Sequence, residues 1–268
     1  VGTKMADWQR GTSREFINPS DFISIKENAI KAIINRQKST GLLTTWTEDN
    51  SSWLYGQGLA LKALCNEGTW NQGIANNAAA IAAEKLAMFL INHQQMEGYW
   101  PRAWNSVSGA ITVLREADGT IWMGDFPWII TGLQAYYKKS GDKRVIPSIN
   151  KALGFLKGLI NPDGNFFTLN PQTGIKYEVA SCEAYAAALL SLYESGETAL
   201  AGNMFSFIST HGWDSELNCW REATYSDRIV LFANTWMSYY NFQNGDTQKG
   251  LDALSLAGKA LYTHGNGE

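Results

Sequence analysis

The sequence predicts an all-α protein built from stacked helical hairpins, with short β-hairpins only in its long connections. Three observations carry this. Nine segments place apolar residues at helical spacing over a helix's length. The links between them alternate between short and long. And one helix of each pair is rich in Ala, Gly and Leu and nearly uncharged, as a helix buried on most sides must be, while its partner carries more charge.

The first segment, "DFISIKENAIKAIINRQK", follows the turn residues "NPS", with Ser20 or Asp21 as its start signal. "SWLYGQGLALKALCNE" and "IANNAAAIAAEKLAMFLINHQQ" come next, then "FPWIITGLQAYYKKS" and "RVIPSINKALGFLKGLI". The series ends with "EVASCEAYAAALLSLYES", "ETALAGNMFSFIST", "RIVLFANTWMSYYNF" and "TQKGLDALSLAGKALYTH". Short links such as "SGDK", "SGE" and "QNGD" join neighbours at one end. Long links, roughly 97–124, 161–178 and 211–227, join them at the other. Each long link opens on a glycine-bearing turn and carries alternating apolar and polar residues, as in "NFFTLNPQTGIKYEV", which reads as a short hairpin. The unit is therefore outer helix, decorated loop, inner helix and short return. Such units stack because neither helix can bury its apolar face alone. Residues 1–268 form one domain on this reading.

Composition removes several function classes. A net charge of -3 over 268 residues, with no polybasic run, offers no field for nucleic acid or anionic lipid. No stretch has the roughly 18 uninterrupted apolar residues of a membrane helix. "AAAIAAEKLAMFLI" is broken by Glu84 and Lys85. The start "VGTKMADWQRG" lacks the apolar core of a signal peptide; a secreted or periplasmic setting is expected ahead of a cytoplasmic one. Cys65, Cys182 and Cys219 have no metal-ligand spacing and read as buried thiols or one disulfide. No HExxH, GxSxG or P-loop is present, so neither metal nor cofactor is expected. The 11 tryptophans are the unusual number. Cores fill well with residues that have no N–H to satisfy, so a surplus of Trp points to a cleft that uses flat faces with a polar edge.

The stretch "TEDNSSWLYGQGLALKAL", followed by "MGDFPWIITGLQAYYKKSGD", resembles the inner-helix starts of family 8 glycoside hydrolases and related six-hairpin glycosidases. Those enzymes set an acid before a Tyr-Gly-containing helix and another at the start of a later inner helix. The resemblance implies an (α/α) barrel, or toroid, of five to six hairpins, and a carbohydrate as ligand. This chain departs in having Glu48-Asp49-Asn50 where the family has a glutamate-glycine pair, and in showing nine helices rather than a full barrel's twelve.

In a toroid the inner-helix starts share one funnel. The acids there are Glu48 and Asp49, Asp125, Glu178 and Glu183, and Asp227. Any one of them is explained by the helix dipole and free N–H groups; several together suit glycoside hydrolysis, which needs a proton donor and a second carboxylate. Glu48 or Asp49 is the expected acid. Asp125, between apolar neighbours in "MGDFPW", is the expected base. Trp46, Trp53, Tyr55, Trp100, Trp104, Trp128 and Tyr185 are expected around the sugar, with Trp46, Trp53, Trp100 and Trp128 partly exposed on one face. Arg102 suits hydroxyls or a carboxylate by a forked contact, and Glu183 and Asp227 complete the set. The expected activity is hydrolysis of a poly- or oligosaccharide. Alternatives are a uronic-acid polysaccharide lyase or epimerase, for which Arg102, Arg221, Tyr225 and His211 provide groups, and a non-catalytic carbohydrate-binding toroid or partial domain.

Overall fold

The computed structural model describes residues 19–46, 48–112 and 120–264. Among them nine α-helices appear: α1 (Pro19–Asn35), α2 (Leu54–Glu67), α3 (Ala78–Asn92), α4 (Phe126–Ser140), α5 (Ile146–Lys157), α6 (Cys182–Glu194), α7 (Thr198–Gly212), α8 (Leu231–Gln243) and α9 (Thr247–His264). The even-numbered helices are the inner ones. α2 packs on α4, α4 on α6 and α6 on α8, while α3, α5, α7 and α9 each lie against the inner helix they follow. Nearly every residue of α4 from Phe126 to Gln134, and every residue of α6 from Ala184 to Leu192, is buried. The inner row curves. Trp236 of α8 reaches back to pack, tilted by 52° at 4.6 Å, on Trp128 of α4 and to hydrogen-bond Tyr55 of α2.

α2 and α4 cross at glycines. A Cβ on Gly58 would lie 2.5 Å from the carbonyl carbon of Trp128, and one on Gly132 would lie 2.8 Å from the carbonyl oxygen of Gly58. Backbone therefore touches backbone, which only a residue without a side chain permits.

The strands are short antiparallel pairs. β5 (Phe167–Leu169) and β6 (Lys176–Glu178) form the hairpin expected from alternation, and β7 (Trp213–Asp214) pairs with β8 (Cys219–Trp220). Two pairs depart from expectation. β2 (Trp70–Asn71) and β3 (Ile74–Ala75) form a hairpin in the link between α2 and α3, at the end of the short returns. The helix expected from Ile74 starts at Ala78 instead, because Asn77 accepts from the Ala80 N–H at 2.9 Å and caps it. β1 (Ser51–Trp53) pairs with β4 (Ala103–Asn105), which belongs to the next loop, rather than within its own.

Buried amides fix these loops to the inner helices. Gln57 exchanges two 3.0 Å hydrogen bonds with the backbone of Leu43, and Asn234 exchanges two of 2.8 Å with that of Trp220. Each satisfies a loop N–H and C=O that burial would otherwise leave unmet. The three thiols are free and buried, and no helix among the described residues is long and apolar enough to cross a membrane.

The glycine crossing gives a first prediction. Gly58→Ala should cost about 1–3 kcal/mol by overpacking and lower the melting temperature by several degrees. Gly154→Ala, on the open face of α5 with nothing near a new Cβ, should raise it slightly because alanine loses less chain entropy on folding. Equal effects of the two changes in thermal melts would refute the close crossing.

Candidate active site

Asp125 occupies the N-cap position of α4, yet its side chain makes no capping bond. It faces Arg102, whose Nε lies 3.3 Å from Oδ2. Arg102 reaches it because β4 pairs with β1 directly before α2, and the Leu54 N–H donates to the Arg102 carbonyl at 2.8 Å. The guanidinium carbon lies over two indoles, 4.2 Å from the ring centre of Trp122 and 5.0 Å from that of Trp53, two cation–π contacts. Burial pushes the Asp125 carboxyl above its ordinary value, against the pull of the Arg102 charge and hydrogen bond.

Glu183 lies in the first turn of α6. Its carboxylate accepts the Tyr55 hydroxyl, and Tyr55 in turn accepts from the indole N–H of Trp236. Glu183 is also raised, first by burial and then by the nearby Asp125 charge, with the Tyr55 bond opposing. Tyr55 itself is pushed up to about 12, mainly by burial and then by Glu183, so it is a hydrogen-bond donor and not a base near neutral pH. Asp125 and Glu183 line one cavity of about 510 Å³, with Trp122, Tyr177, Glu178 and Tyr225 among its walls. A second cavity of about 290 Å³ adjoins it, sharing Thr120 and Trp122 and lined also by Tyr99 and Arg102.

Most of the other singled-out residues lie elsewhere. Glu48 and Asp49 are exposed and line neither cavity. Asp49 turns back to accept the Ser51 hydroxyl and N–H, at 2.5 and 2.7 Å, which lowers its pKa. Trp46 stands 57% exposed. Trp53 and Tyr55 are half-buried. Trp100 was expected at a cleft face but is core, with its indole N–H on the Leu90 carbonyl at 2.7 Å. Trp104 and Trp128 are core as well. Of the four tryptophans expected to be partly exposed on one face, two are therefore buried: Trp100 because its loop folds down onto α3, and Trp128 because it lies in the first turn of the inner helix α4, packed against Trp236. Tyr185 is buried edge-on against Phe166, its hydroxyl 3.3 Å from Asn165. Asp227, with its side chain 98% exposed, makes a surface contact to Arg221 at 3.5 Å. Arg221 is also paired to Asp214, and His211 stacks on Phe207 away from both cavities.

Sequence reasoning missed the part played by Trp236, which its helical setting marked as core. It also missed Thr168, Tyr177 and Ser181 at the cavity wall. The β5–β6 hairpin carries the first two, and its alternation was legible, but which face meets the cavity was not.

No protein-family model matches the chain, and no curated protein matches it in sequence. Solved structures match it in shape. A cellobiose 2-epimerase from Spirochaeta thermophila aligns with TM-score 0.68 at 12% identity over 94% of this chain and 73% of that one. A sugar epimerase from a ruminal bacterium aligns with TM-score 0.64 at 12% identity, over 88% and 69%. An alpha-amylase from Clostridium perfringens aligns with TM-score 0.61 at 10% identity, over 82% and 67%. At such identities the likeness is one of fold: the chain has the (α/α) toroid architecture that these sugar-processing enzymes share.

Proposed function

We propose that the protein is a glycoside hydrolase whose two working carboxylates are Asp125 and Glu183. One observation carries this reading: two carboxyl groups with raised pKa line one cavity, but in different company. Asp125 has a cation, which favours its charged form. Glu183 has a tyrosine donor and an anionic neighbour and no ion-pair partner among the described residues. Environments that differ in this way divide acid from base. Glu183 then gives its proton to the bridging oxygen as the bond to the anomeric carbon breaks. Asp125, favoured in its charged form by Arg102, takes a proton from the incoming water, or attacks the carbon itself to give a glycosyl ester that water then cleaves with Glu183 as base; the anomer first released tells which. Tyr55 positions the Glu183 carboxyl.

A second reading, a sugar epimerase, draws on the names of two of the structural neighbours. There the same two groups would remove and return a carbon-bound proton. A lyase is less well supported, since the tyrosine beside the carboxylates keeps its proton and Arg221 and His211 lie away from the cavities.

Incubation with neutral and uronic oligosaccharides separates the three. New reducing ends without ultraviolet absorbance mean hydrolysis, an isomeric sugar of equal mass means epimerisation, and unsaturated ends mean elimination. Glu183→Gln should lower reducing-end formation by roughly 10²–10⁴-fold.

The same variant should not lower the melting temperature near neutral pH. A carboxyl whose pKa is raised on folding holds its proton more tightly in the folded chain. Its stability contribution is thus present at acid pH and lost as pH rises from the ordinary value of 4.5 through the folded one. An amide avoids that loss, so Glu183→Gln should melt at the same temperature as the parent or higher at pH 7, and the gain should vanish in acid.

Tyr55→Phe removes a bond that favours the Glu183 carboxylate. Glu183 should then hold its proton to higher pH, and the alkaline limb of the rate profile should move up while activity falls less than in Glu183→Gln. An unmoved limb would exclude Glu183 as the proton donor.

A further inference from the structure

The two adjoining cavities are opposite in charge. The larger holds Asp125, Glu178 and Glu183 and, among the described lining residues, no cation. The smaller holds Arg102 as the one charged side chain among its described lining residues. Trp122, 48% exposed, stands in the wall of both.

Arg102 is an incompletely used cation. Its Nε contact to Asp125, 3.3 Å, is long for a charge-assisted bond, where about 2.7–2.9 Å is usual. Its Nη1 is buried and has no hydrogen-bond partner among the described residues. Leaving a buried guanidinium donor unmet is costly, yet the Trp53 and Trp122 faces keep the plane in place. The fork is thus fixed in orientation and, among the described residues, short of an acceptor. Around it the smaller cavity offers the ring of Tyr99 and the polar side chains of Gln95, Thr112 and Gln172. Flat apolar walls with hydroxyl partners suit one sugar ring. A planar carboxylate is the group that a fixed guanidinium fork receives best.

We propose that this smaller cavity is a subsite for a uronic-acid residue whose carboxylate pairs with Arg102, and that the neighbouring ring in the acidic cavity is neutral. The proposal rests on the reading of the larger cavity as the reaction site and narrows its substrate to saccharides in which a uronic acid adjoins an uncharged sugar. An acidic cavity repels a second carboxylate, so the order of the two rings across Trp122 is set by charge.

Monosaccharide binding tests the subsite apart from cleavage. Affinities are measured by calorimetry for three matched pairs: glucuronate and glucose, galacturonate and galactose, mannuronate and mannose. In at least one pair the uronate should bind roughly ten- to hundredfold more tightly, the range of a hydrogen bond to a charged group. Arg102→Met should abolish that preference. Because Arg102 also faces Asp125, folding of that variant is checked by thermal melting. Gln172→Glu, at an exposed position in the same lining, places an anion in the subsite without touching the core and should weaken uronate binding by more than it changes neutral-sugar binding, so that the preference falls. Equal binding within all three pairs, no binding of any uronate, a preference that survives both variants, or tighter binding of glucose 6-sulfate than of glucuronate would each overturn the proposal. If uronates bind through Arg102 but no substrate is cleaved, the hydrolase reading fails and the subsite stands. If neutral oligosaccharides are cleaved through Glu183 with no uronate preference, the reverse holds.

Discussion

The contact on which the rest depends is the backbone crossing of α2 and α4 at Gly58 and Gly132. Helices with side chains between them sit 8–10 Å apart; a crossing through glycines is tighter. It fixes two inner-helix starts close together, and those starts carry Tyr55 and Asp125. Trp236 then closes the arrangement by touching both helices, through the Trp128 ring and the Tyr55 hydroxyl. Without that approach the acid on α4 and the tyrosine that holds Glu183 would not share one field.

The site also shows how position and use can part. Asp125 stands where a capping residue stands, and a capping role was its simplest explanation. Its carboxylate instead turns to Arg102, and the α4 start is served by backbone, with the Asp125 and Phe126 N–H groups both donating to the Trp122 carbonyl. Asp49 is the converse case. It lies in the stretch with the strongest resemblance to a glycosidase helix start, and it is spent on a local turn with Ser51. The two Ser51 bonds hold the Asp49 carboxyl low, whereas burial pushes that of Asp125 up in spite of the arginine beside it.

Helical periodicity made the nine helices and their inner and outer order legible, because that signal is local and repeats every turn. The β5–β6 hairpin was legible for the same reason. The β1–β4 pairing was not: three residues on each side carry no alternation worth reading, and the partners lie some fifty positions apart. That pairing is what delivers Arg102. Asp125, Arg102, Tyr55 and Glu183 could be singled out by residue type and place, but not their grouping, which depends on where the loops run. The tryptophans misled for a related reason. Trp100 lies in a loop, and loop residues are usually exposed, but its loop folds under α3 and gives the indole N–H a carbonyl to bond.

The long loops share one joint. Gly41, Gly98 and Gly164 each have positive φ, at 95°, 109° and 92°, and each presses its backbone on the next outer helix, at Lys85, Lys151 and Asn203. Gln37 and Gln94 rivet the first two, each donating both to its own glycine carbonyl and to a carbonyl of that helix, Ala82 or Ser148. The spacing of the outer shell is therefore settled before each loop begins its excursion over the mouth. Downstream of the joint, exposed residues such as Val107 can change without disturbing the stack, whereas Trp100, Trp104 and Phe166 in the same segments belong to the core. The architecture separates inheritance of shape from inheritance of specificity: lineages that keep the joints can exchange the rims, and proteins with almost no residues in common can still superimpose.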